Sequence, residues 1–140
     1  MNQTDIHQLQ IEWGAGMFSY EVLKDNDVIV VTSTGKTTVE DYQTTAPGFF
    51  AEVESKGIRK ALFDAGNSQG PASNDAKALS FIARQMSRSL FDKVALVFHD
   101  NIRDDMLECA ELIRNAGKKV RLFSPQQYET ALAWLKDDQP

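Results

Sequence analysis

Hydroxyl, imidazole and carboxyl groups are the raw material of nucleophilic catalysis, and this chain offers them at Ser68, at His99 and at several aspartates. A hydrolytic triad built on Ser68 and His99 would hold the serine on a strained strand-to-helix turn, and no Gly-x-Ser-x-Gly elbow encloses Ser68. Metal chemistry has little to work with. His7 and His99 lie far apart in the sequence, no His-x-x-x-His pair exists, and Cys109 is the one cysteine, so a metal site is not expected. Cys109 shares a helical face with Ile102, Met106 and Ile113, which suits a small buried side chain. Phosphate loops are absent too. Gly14-Ala15-Gly16 precedes a strand where a dinucleotide loop would follow one, and Gly35-Lys36-Thr37 lacks the upstream glycine of a P-loop. No cofactor is expected, and the chemistry points away from an enzyme.

The elements that would position these groups are legible from periodicity. Phe18–Leu23 alternates, Lys24-Asp25-Asn26-Asp27 supplies turn residues, and Val28–Thr34 is β-branched, so a hairpin is expected. Thr37 with Glu40 has the form of a capping box. A helix follows to Gly57 along Val39, Tyr42, Ala46, Phe49, Phe50 and Val53, with a bend expected at Pro47. Arg59–Ala65 reads as a strand and Gly66–Ser73 as a loop. Asn74–Leu90 puts Leu79, Ile82, Ala83, Met86 and Leu90 on one helical face. Lys93–Phe98 is a buried-strand run, Asn101 caps a helix ending at Gly117, and Val120–Phe123 is a last strand. Ser124-Pro125 then opens a helix to about Lys136. The order β-β-α-β-α-β-α-β-α predicts an α/β fold: a single mostly parallel sheet with an N-terminal β-hairpin and helices on the sheet faces.

Thr38-Val39-Glu40-Asp41-Tyr42 with Pro47, the strand Lys93–Phe98 and the closing stretch Ala131-Leu132-Ala133-Trp134-Leu135 resemble the corresponding elements of SpoIIAA-like proteins. These are relatives of the STAS domain, the fold of bacterial anti-sigma-factor antagonists, and the similarity runs from about Phe18 to Lys136. The resemblance implies a domain at 18–140 behind an N-terminal extension at 1–17, and a regulatory role through protein–protein contact. In the antagonists a serine in an Asp-Ser-Ser-Gly motif is phosphorylated, and the nearest match here is Asn67-Ser68-Gln69-Gly70, which keeps Ser68 and Gly70. Ser73, at the expected helix start, is the other candidate switch residue, because free N–H groups there would meet a phosphate. CRAL-TRIO lipid-transfer domains share a related fold. With Phe49 and Phe50 on the first helix, an apolar or lipid-like ligand is the alternative reading.

In open parallel sheets ligands bind outside the carboxyl ends of the strands. Asp64, Asn67, His99 and Asp100 are the candidate ligand-edge residues, with Ser33, Thr34, Lys36 and Ser124 beside them. A second surface is marked by charge. Lys77, Phe81, Arg84 and Arg88 recur at helical spacing as a basic stripe with an aromatic, which suits a protein partner or a second copy of the chain. Residues 101–116 carry the opposite charge. A net charge of -5 disfavours nucleic acid, 42% hydrophobic residues suit one globular domain, and no apolar run reaches membrane-spanning length. The lone cysteine and the polar N-terminus suit the cytoplasm. The segment with Ile6, Leu9, Ile11 and Trp13 has apolar residues to bury, either as an extra strand here or on a second copy.

Overall fold

Val28-Ile29-Val30-Val31 and Val94-Ala95-Leu96-Val97 are continuous apolar runs, and every one of these residues is buried, as strands covered on both faces require. They are the middle of a six-stranded sheet in a computed structural model that describes residues 8–13, 16–23, 27–37, 39–71, 84–86 and 88–137. The strands are β1 (Gln8–Trp13), β2 (Gly16–Leu23), β3 (Val28–Thr37), β4 (Lys60–Pro71), β5 (Lys93–Phe98) and β6 (Lys119–Phe123), paired in sequence order. The first three run antiparallel and the rest parallel. The helices are α1 (Val39–Lys56), α2 (Arg103–Asn115) and α3 (Tyr128–Lys136).

The hairpin β2–β3 forms as expected, and Asp27 takes φ 52, a left-handed conformation that Asp tolerates. Gly57 and Gly117 follow α1 and α2 at φ 64 and φ 89, where a side chain would be strained. Pro47 lies within α1. Ser124 and Pro125 start the closing helical segment, and the Ser124 N–H donates to Gln127 Oε1 at 2.9 Å.

Three expectations change. Gly66–Pro71 is strand and not loop: β4 continues past Ala65, pairing Asn67 with Thr34 and Pro71 with Thr37. Register shifts at Thr32/Thr34 and Gly35/Lys36 take up the surplus residues on β4, so glycines and small polar residues that resemble a loop serve a bulged strand. Asn101 does not cap α2; it sits inside a 3-10 turn, Asp100–Ile102, and the α-helix begins at Arg103. Leu90 leaves the core face, at 38% exposure, because the helical residues 84–86 give way to a turn, and Phe91 is buried in its stead.

The crossovers β3–β4, β4–β5 and β5–β6 all advance the same way, so a common handedness stacks their connections on one face. On that face α1 (Phe49, Val53), the segment after residue 84 (Met86, Phe91) and α2 (Cys109, Ala110, Ile113) share one core cluster. Among the described elements α3 alone covers the opposite face, through Ala131 and Leu135 on Val28, Val30, Leu62, Ala95 and Val97. β1 pairs along its whole length with β2, from Gln8 opposite Glu21 to Trp13 opposite Gly16. Of the two fates open to this segment, the structure has it as an added strand of its own sheet.

Candidate functional site

Four phenylalanines organise the α1 side. Phe49 is 2% exposed and meets Tyr20, Phe50 and Phe63 edge to face, at centroid distances of 5.3, 4.8 and 6.1 Å. Phe91, wholly buried, tilts against both Phe49 and Phe50 at 6.3 and 6.2 Å. Phe49 is therefore a core residue, whereas half-buried Phe50 turns its remaining surface to a cleft of ≈ 300 Å³ between α1 and the segment 85–90. Pro47, Phe50, Ala51 and Glu54 form one wall, and Gln85, Arg88, Ser89 and Leu90 the other.

The second wall is anchored from below. Lys118 Nζ donates to the carbonyls of Ser89 and Phe91 at 2.9 and 2.7 Å, and the Ser89 hydroxyl donates to the Met86 carbonyl at 2.6 Å. Burial lowers the Lys118 pKa, opposed by the nearby Asp92 carboxylate. Asp92 in turn is held by Arg59 at 2.8 Å, a hydrogen-bonded pair that keeps its carboxyl below the usual range. Leu90 is thus held half out of the protein beside Arg88, and Arg84 lies exposed one helical turn earlier, its carbonyl accepting the Arg88 N–H at 3.2 Å.

Of the expected basic stripe, Arg88 lines this cleft and Arg84 is exposed one helical turn before it, while Lys77 and Phe81 lie outside the described residues. Ser73 lies outside them as well. Ser68 is within β4, its backbone opposite Gly35 in β3, so it does not start a helix.

The carboxyl edge of the sheet holds the other expected residues. Asp64 is opposite Thr32 and Val97, and Asn67 opposite Thr34. His99 and Asp100 follow β5 directly and are both exposed, but Asp100 pairs with Arg103 at 2.9 Å. His99 makes no side-chain cap; its carbonyl accepts the Ile102 N–H at 3.2 Å. Tyr128 joins this edge unforeseen. Burial first, then the carboxylates of Asp64, Glu21 and Glu129, hold its phenol above the usual range. No signal in the sequence marks Tyr128, since its neighbours come from β2 and β4. Among the described residues no group of three or more potential metal ligands forms.

Cys109, 3% exposed in α2, has its thiol pushed up to about 12 by burial. At pH 8 only about one such thiol in ten thousand is ionised, so a disulfide reagent should leave the native protein unlabelled and react on addition of denaturant. Rapid native labelling would contradict the packing of α2.

A family profile described as SpoIIAA-like matches residues 28–136. Among solved structures, an uncharacterised protein of the DUF3478 family from Shewanella loihica PV-4, with a SpoIIAA-like fold, superposes with a TM-score of 0.62 at 19% identity. The alignment covers 91% of this chain and 98% of that one. At that identity the likeness concerns the fold. No curated protein matches the chain, and none of the helices among the described residues is long and apolar enough to cross a membrane.

Proposed function

The chain belongs to the SpoIIAA-like family, and from that premise we propose that it is a non-enzymatic, cytoplasmic STAS-like domain that regulates a protein partner by binding it through the cleft between α1 and residues 85–90. One observation carries the reading: the apolar Phe50 and the exposed Leu90 line the cleft together with exposed Arg88, and exposed Arg84 lies one helical turn before it. An apolar anchor within a charged rim is the usual anatomy of a protein contact. The complementary partner presents an apolar side chain to Phe50 and Leu90 and carboxylates to the arginines.

Of the two rings that suggest an apolar ligand, Phe49 is taken up by the core and only Phe50 meets the cleft. Its volume of ≈ 300 Å³ stands at the lower limit for small-molecule sites. The test is recovery of partners from host lysate on immobilised protein. Arg84→Glu with Arg88→Glu should reduce recovery at least tenfold while circular dichroism stays unchanged, because both side chains are exposed. Equal recovery by the wild type and the variant would remove this surface. A native mass a few hundred daltons above the bare chain would transfer the role to a bound apolar ligand.

A further inference from the structure

The two edges of the sheet differ in how they are protected. β6, the last strand, has exposed Lys119 and Arg121, the latter 5.7 Å from the Trp134 ring centroid; charged residues of this kind discourage strand addition. β1, at the other edge, reads Gln-Leu-Gln-Ile-Glu-Trp, with no Lys, Arg or Pro, and no described strand pairs with its outer side. Backbone N–H and C=O groups along such an edge are a template for another strand.

The register decides which strand fits. Leu9 is opposite Tyr20 and Ile11 opposite Phe18, so Leu9, Ile11 and Trp13 belong to the face that carries the Tyr20 and Val22 core, and Gln8, Gln10 and Glu12 to the other. A twofold axis perpendicular to the sheet keeps each face on its own side and pairs two β1 strands antiparallel. It then allows only registers joining residues of one face. The two that pair five residues of each strand are centred on Gln10 or on Ile11. In the first Glu12 meets Gln8, in the second it meets Gln10, and in neither does Glu12 meet Glu12. Apolar residues are matched with apolar ones throughout. The strand is self-complementary in pattern and in charge.

We propose that β1 is a homodimerisation edge, joining two copies of this chain into one continuous sheet. The surface is independent of the α1 cleft, so its test and that of the partner contact are separate.

The test combines sedimentation equilibrium with amide exchange on the whole chain. The wild type should approach twice the 15.7 kDa of one chain as concentration rises. Successive β1 amides should then all be protected, whereas an unpaired edge exposes alternate ones. Gln10→Glu leaves the pairing with Ser19 within the monomer free of like charges. Across the twofold the introduced carboxylate faces its own symmetry copy in the first register, or Glu12 in the second, and should weaken the dimer about tenfold at low salt. Gln10→Lys then separates the registers. In the first the introduced ammonium faces its own copy and weakens the dimer, and in the second it pairs with Glu12 and tightens it. A monomer at every concentration, or a dimer that Gln10→Glu leaves intact with alternate β1 amides still exchanging, would overturn the proposal.

Discussion

Phe91→Ala is expected to lower the unfolding free energy by about 3–5 kcal/mol, read as a shift of the urea midpoint with little change in slope. Phe91 is 0% exposed and is the ring against which both Phe49 and Phe50 tilt, so its removal leaves a void under α1. The backbone on either side is fixed: the Phe91 carbonyl accepts Lys118 Nζ, and the Asp92 N–H donates to the Arg59 carbonyl at 2.7 Å. The segment therefore has little freedom to collapse into the gap, which argues for the upper part of the range. Because the same ring underlies Phe50, the void adjoins the cleft, and an apolar fluorescent dye should bind the folded variant more brightly than the wild type. A loss below about 1 kcal/mol would mean that the ring cluster is not the keystone of the α1 face.

Lys93→Met should cost about 1.5–3 kcal/mol, the worth of hydrogen bonds to a charged group, and the damage should be concentrated in α3. Lys93 is the one buried charged side chain among the described residues, at 6% exposure. Its ammonium donates to the Trp134 carbonyl at 2.9 Å and to the Asp137 carbonyl, and stands 5.0 Å from the Trp134 ring centroid. A cation at a helix C-terminus meets the negative end of the helix dipole and satisfies carbonyls that the helix leaves without partners. Since α3 alone among the described elements covers its face of the sheet, that anchor holds the cover over Ala95 and Leu62. Methionine keeps the stem volume and removes the donors, so a shift of Trp134 fluorescence with faster amide exchange in the last turn of α3 is the expected signature. Uniform destabilisation with α3 unaffected would assign Lys93 a packing role only.

The strands β2–β6 and the helices α1, α2 and α3 are legible in the periodicity because each has a local cause: β-branched runs at Val28–Val31, a left-handed turn residue at Asp27, glycines after α1 and α2, and Ser124-Pro125 before α3. The helix expected over 74–90 lies outside the described residues apart from 84–86 and the segment after 87. The segment 66–71 is not legible in this way. Its Gly, Asn, Ser and Pro prefer turns locally, and pairing with β3 through two irregularities overrides that preference. Leu90 fits the helical spacing of Met86, yet the helix ends before reaching it, a boundary that propensity leaves open by several residues. The candidate site divides in the same way. Arg84 and Arg88 were visible as a charge pattern, but the cleft was not, because its two walls, on α1 and on residues 85–90, come from different crossovers.

Chain order and apolar period by themselves determined that this protein is a single α/β sheet opened by a hairpin, since both follow from contacts between near neighbours and from the handedness of the crossovers. Contacts between residues far apart in sequence were decided only by the tertiary structure: Lys93 beneath the end of α3, Lys118 beneath the cleft wall, and Tyr128 near Asp64. The physical reason is that a periodicity names the buried face of an element but not the partner that buries it. That partner is selected by the packing of the whole sheet.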